Sequence, residues 1–114
     1  MQSHEREIIA TVDAILFPWI SHPNPVEQRA LLKCYERFVE WVASRGLRLP
    51  VSGHVVAAHL LELATNGAAL PTINRAAEGI AFGYSAHKSY LDHEPVRAAL
   101  VLLEAQTSPS RVLN

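Results

Sequence analysis

Arg29, Lys33 and Arg37 recur four residues apart. On a helix that spacing puts three cations along one side. A row of Lys and Arg is the side-chain pattern that neutralises successive phosphates of a nucleic-acid backbone. Arg45 and Arg48 extend the row in sequence. A second reading fits the same residues: a solvated helix face with Glu36 and Glu40 as ion-pair partners.

Thr72, Asn74 and Arg75 lie in "PTINRAAEGI", the start of a predicted helix. Backbone N–H groups at a helix start attract anions, and Asn or Arg can read base edges. The alternative is a polar first turn that does only capping work. Lys88 and Arg97 are further cations of the same kind.

Other chemistry has less to build on. The six histidines include no pair four residues apart and no Cys/His grouping, so no metal site is expected. Cys34 is the only cysteine, which excludes an intrachain disulfide and fits a reducing cytoplasm. It falls in an apolar helical stretch, where a packed thiol is the ordinary outcome. There is no glycine-rich phosphate loop, and no cofactor is expected.

The 114 residues suit one domain, and a hydrophobic fraction of 49% excludes wholesale disorder. No apolar run approaches the roughly 20 residues that span a bilayer. "MQSHEREII" lacks the layout of a secretory signal. The net charge of −1 argues against a protein that grips phosphate over its whole surface. The positive charge is concentrated, however. Residues 28–48 hold five basic and two acidic side chains, whereas residues 1–27 hold one and four.

Apolar residues follow helical spacing throughout, which predicts an all-α bundle of four to five helices. The first runs from after Ser3 to about Leu16, before the "SHPNP" break. The second starts at Pro25 behind an Asn24 cap, with Glu27 three residues on, and ends at Ser44 or Arg45 before Gly46. The third covers about 54–65 and stops at Asn66–Gly67. The fourth covers about 71–89, with Ile73, Ala77, Ile80 and Tyr84 inward and Gly79 and Gly83 allowing close helix packing. The fifth opens near Asp92 or Glu94 and ends near Gln106, with Val96, Leu100 and Leu103 on one face. The organisation is an N-terminal helix and Pro-rich break over 1–24, a helical domain over 25–106, and a loose tail over 107–114.

Phe38, Trp41 and Gly46 at the end of one long helix are followed by Pro50, by Val56, Leu60 and Leu63, by Gly67, by "PTINR", by Ile80, and by "EPVRAALVLL". This ordered set resembles the N-terminal core-binding domain of tyrosine recombinases of the phage-integrase type, a small SAM-like bundle. The resemblance covers about residues 26–106. It implies half of a clamp around DNA, with helices laid against the major groove and the phosphates. It makes Trp41 a core tryptophan and puts His59 at the core edge, a position that is often aromatic in the family.

In that family strand cleavage belongs to a separate C-terminal domain with a tyrosine nucleophile and an Arg/His/Lys cluster. Here Tyr35, Tyr84 and Tyr90 all fall in helical core segments, and no His-x-x-Arg pair occurs. The resemblance therefore implies DNA binding without catalysis, in a DNA integration or recombination setting. Arg29, Lys33, Arg37, Arg75 and Lys88 would bind phosphate, and Thr72 and Asn74 would lie at the groove. Two departures thin that surface. After "TI" the family often has two or three basic residues, where this chain has Asn74, Arg75 and Ala76. The last helix has Val101, Leu103 and Glu104 where Arg or Lys is common. Binding to double-stranded DNA is expected to be weak and salt-sensitive. A recombinase catalytic domain or a second copy of this chain are the further partners implied. The alternative is a helical interaction or oligomerisation module that has lost its DNA surface.

Overall fold

The structure is a computed structural model that describes residues 24–107. The predicted N-terminal helix and the tail beyond residue 107 lie outside the described residues. Four helices follow one another: α1 (Pro25–Ser44), α2 (Gly53–Thr65), α3 (Leu70–Ala86) and α4 (His93–Thr107). The described chain is all-α, as the apolar periodicity predicts.

Each start has a local cause. Asn24 accepts the Glu27 N–H at 2.8 Å, and Pro25 begins α1 with its φ already helical. Ser52 caps α2 by accepting from Val55 N–H. The Asp92 carboxylate accepts the Glu94 N–H at 3.2 Å in the first turn of α4. The start of α3 differs. Ala69 stands at the N-cap, and no side chain caps the helix.

Three helices end the same way, in the paired hydrogen bonds of a Schellman motif. After α1, Gly46 N–H reaches Ala43 C=O at 3.0 Å and Leu47 N–H reaches Val42 C=O at 3.1 Å. After α2, Gly67 and Ala68 repeat the pattern on Ala64 and Leu63. After α3, Lys88 and Ser89 repeat it on Ser85 and Tyr84. The turn residue needs positive φ, and it is glycine in the first two cases, at 72° and 90°. In the third it is Lys88, at φ 55°. This lysine ends α3 at Ala86, three residues before the expected Ser89.

α3 is the central helix. It packs chiefly on α1, and also on α2 and α4, while α2 and α4 pack on each other. Ile73, Ala77, Ile80 and Tyr84 of α3 are buried against Phe38 and Val42, Val56 and Leu60, and Val96, Leu100 and Leu103. The buried Tyr84 hydroxyl donates to Val51 C=O and accepts from Val51 N–H, both at 2.9 Å. That pair ties the α1–α2 connection to α3. Burial raises the Tyr84 phenol above its ordinary value, partly offset by the Val51 bond.

The α1–α3 contact is close because Gly79 and Gly83 stand in it. A Cβ on Gly79 would lie 2.5 Å from Cys34 Cβ and 2.8 Å from Leu31 C=O. A Cβ on Gly83 would run into the Tyr35 ring. Gly79→Ala should therefore destabilise the protein by about 1–3 kcal/mol, despite alanine's better helix propensity. Urea unfolding measures it. Lys88→Gly should do the reverse, raising stability by about 1 kcal/mol, because glycine adopts positive φ without the steric cost that Lys88 bears. A thermal melt would register that gain as several degrees.

Candidate nucleic-acid interface

Arg29, Lys33 and Arg37 all lie exposed on α1. Eight residues at helical rise spread them over about 12 Å of axis. None of the three forms an ion pair among the described residues. Glu36 and Glu40 are exposed beside them and do not pair with them. Among the described residues the row is thus a solvated face whose three cations have no ion-pair partner.

Arg45 and Arg75 are different. Arg45 pairs with Glu62, and its guanidinium lies 5.2 Å from the centre of the Trp41 ring. Arg75 bridges two helices. Its Nη2 donates to both Glu27 oxygens at 2.9 and 3.0 Å, and its Nη1 donates to Glu78 at 2.9 Å. Burial alone would lower the Arg75 value, but the hydrogen bonds it donates to Glu27 and Glu78 outweigh it and the group is held above its usual range. Its charge is thus engaged inside the protein. A phosphate would have to compete with two carboxylates for it.

Thr72 is exposed in the first turn of α3. Asn74 is half-buried, and its amide oxygen is shielded from solvent without a hydrogen-bond partner. Lys88 is exposed, but it stands at the opposite end of α3, about 24 Å along the axis from Thr72. Arg97 lies half-buried on α4. The expected set therefore divides. Arg29, Lys33, Arg37 and Thr72 are open at the surface, Arg75 is paired, and Lys88 stands apart.

Arg37, Thr72 and Arg75 meet at a cleft of about 470 Å³ between α1, α2 and the start of α3, with Cys34, His59 and Leu63 in its walls. Among the described residues, no Asp or Glu lines it. The spacing of basic residues did not reveal this cleft, because its walls come from three helices far apart in sequence. Nor did it reveal Glu27 as a partner of Arg75, 48 residues away. Glu78, three residues along the same helix, was within reach of the spacing rules.

Behind the cleft is an aromatic group. The His59 ring lies 4.6 Å from Trp41 and 5.2 Å from Phe38, centre to centre, and the residue is only 8% exposed. His59 therefore packs against the aromatic side chains of the core. The Trp41 indole donates to Glu62 at 2.6 Å, so the tryptophan has both a packing and a polar role. That hydrogen bond, with Arg45 alongside, holds the Glu62 carboxyl below its usual range. Burial pushes the His59 imidazole below its ordinary value. Glu62 opposes the shift and Arg45 adds to it.

Residues 24–107 thus form an all-α bundle of four helices, with a basic row on α1 that has no ion-pair partner among them. Among the described residues no helix is long and apolar enough to cross a membrane, and no cluster of three or more His, Cys, Asp or Glu could hold a metal ion. No protein-family model, curated protein or solved structure matches the chain.

The His59 shift fixes the sign of a pH effect. Its folded value lies below its unfolded value of about 6.5, so the unfolded chain binds the extra proton. Stability should fall as pH drops through about 6.5 and keep falling until the folded group also protonates. Urea midpoints at about pH 7.5 and 5.5 should therefore differ less in His59→Phe than in the unsubstituted chain. An equal difference in both would show that His59 does not contribute.

Proposed function

We propose that this chain is a non-catalytic DNA-binding module, related to the core-binding domain of tyrosine recombinases and acting in DNA integration or recombination. The observation that carries this reading is the row of Arg29, Lys33 and Arg37 on α1, exposed and without ion-pair partners among the described residues. Such a row can follow a duplex backbone, with Thr72 at the uncapped start of α3 as a neighbouring phosphate contact. Arg75 serves chiefly to join α1 to α3, and Lys88 is a peripheral contact. Duplex DNA is the partner. A recombinase catalytic domain would supply any strand cleavage.

A second reading, a helical interaction module, is favoured by one surface. Leu102 on α4 is 50% exposed above a shallow groove that includes Val101 and Ala105. A self-associating chain would cover it.

Three phosphate contacts should give a log–log salt slope of about −2.7, a loss of about 40-fold between 50 and 200 mM salt. Fluorescence anisotropy with a short duplex tests this. Replacing Arg29, Lys33 and Arg37 together by Gln should flatten the slope, whereas Arg75→Gln should change it little. No binding at low salt, together with a stable dimer by light scattering, would favour the second reading instead.

A further inference from the structure

Helix α1 carries an apolar stripe that the core does not fully use. Leu32, Tyr35 and Val39 are half-buried on it. At 3.6 residues per turn they fall within about 60° of one another around the helix. Tyr35 packs against the core, and its ring stacks on His87 at 5.4 Å. Leu32 and Val39 take no part in the core that the described residues form. All three line a groove of about 520 Å³, together with Glu36, Glu40 and His87, the residue that ends α3. Apolar residues spaced three and four apart along one helix are half of a helix–helix seam.

The other half lies in the same chain. Residues 1–23 run directly into Asn24, the cap of α1. Their sequence predicts a helix from after Ser3 to about Leu16. In it Ile8, Val12 and Ile15 are spaced four and then three residues apart. Taken from the far end, Val39, Tyr35 and Leu32 have the same spacing. Antiparallel packing therefore matches three levels at once: Ile8 with Val39, Val12 with Tyr35, and Ile15 with Leu32. The connection suits this register. Short connections join antiparallel neighbours in helix bundles. Residues 17–24 can extend over about 26 Å. The return needs only about 10 Å between helix axes and about 9 Å along α1. The groove on α4 is a poorer match. At the same spacing it offers Glu94, Ala98, Val101 and Ala105, a carboxylate and two methyl groups where α1 offers Leu, Tyr and Val.

We propose that residues 4–16 of this chain dock as an antiparallel helix in the α1 groove, with Ile8, Val12 and Ile15 against Val39, Tyr35 and Leu32. The short tether keeps this segment at high local concentration beside the groove, ahead of a second copy or another protein. The inference rests on the match of the two stripes, and it stands whether or not the basic row meets DNA.

The test is methyl NOE spectroscopy on the full chain, labelled at the Ile, Leu and Val methyl groups. Contacts are expected from Ile15 to Leu32, from Ile8 to Val39, and from Val12 to the Tyr35 ring. Val12→Asp should abolish all three and shift the amides of Leu32, Tyr35 and Val39, leaving Val101 and Leu102 unmoved. Val12→Ile should keep the contacts. NOEs from Ile8, Val12 and Ile15 to Val101 or Leu102, or to no residue of 24–107, would overturn the assignment. So would contacts that appear only between differently labelled copies in a mixed sample, since a second chain would then fill the groove.

Discussion

The structure depends on how closely α3 can approach α1. Gly79 and Gly83 remove two side chains from that contact, and the space they leave is taken by Leu31, Cys34 and Tyr35. Close approach brings Tyr35 edge-on to Tyr84, at 6.3 Å between ring centres, and stacks it on His87 at 5.4 Å. It also sets the start of α3 beside α1, so that Arg75 reaches Glu27 and Thr72 shares a cleft with Arg37. A wider spacing would separate the helix start from the basic row. The two glycines thus shape the candidate site without belonging to it.

Charge is then divided between internal and external roles. Glu27, Glu78 and Glu62 take up Arg75 and Arg45. Exposed or half-exposed pairs of this kind add little stability. Their larger effect is on the surface, where two cations that could have met phosphate are already neutralised. What remains on α1 is a short row of three. A near-neutral chain can therefore still present a local positive face, and that face is narrow enough that salt would weaken the proposed hold on DNA. Arg37 is the residue where row and cleft adjoin.

Much of the fold was legible before any coordinates. The inward residues of α3 and α4 follow helical periodicity, and Ile73, Ala77, Ile80, Tyr84, Val96, Leu100 and Leu103 are all buried. Asn24 with Pro25 marks the start of α1, and Gly46 and Gly67 mark two helix ends. The end of α3 was not legible, because its turn residue is Lys88 and no glycine announces it. Of the candidate site, the α1 row was legible because four-residue spacing is local. The Arg75–Glu27 and Trp41–Glu62 partnerships were not, since they join residues brought together only by packing. The cleft was hidden for the same reason. A capping glutamate, Glu27, proved to hold a second helix.

The proposed DNA role makes a spatial claim: duplex contacts fall on the exposed side of α1 and the start of α3. Amide chemical-shift mapping of the labelled chain with a short duplex at low salt tests that claim most directly. Shifts concentrated at Arg29, Lys33, Arg37 and Thr72, with little change at Val101 and Leu102, are the predicted result. Shifts centred on α4, or none anywhere at low salt, would contradict it.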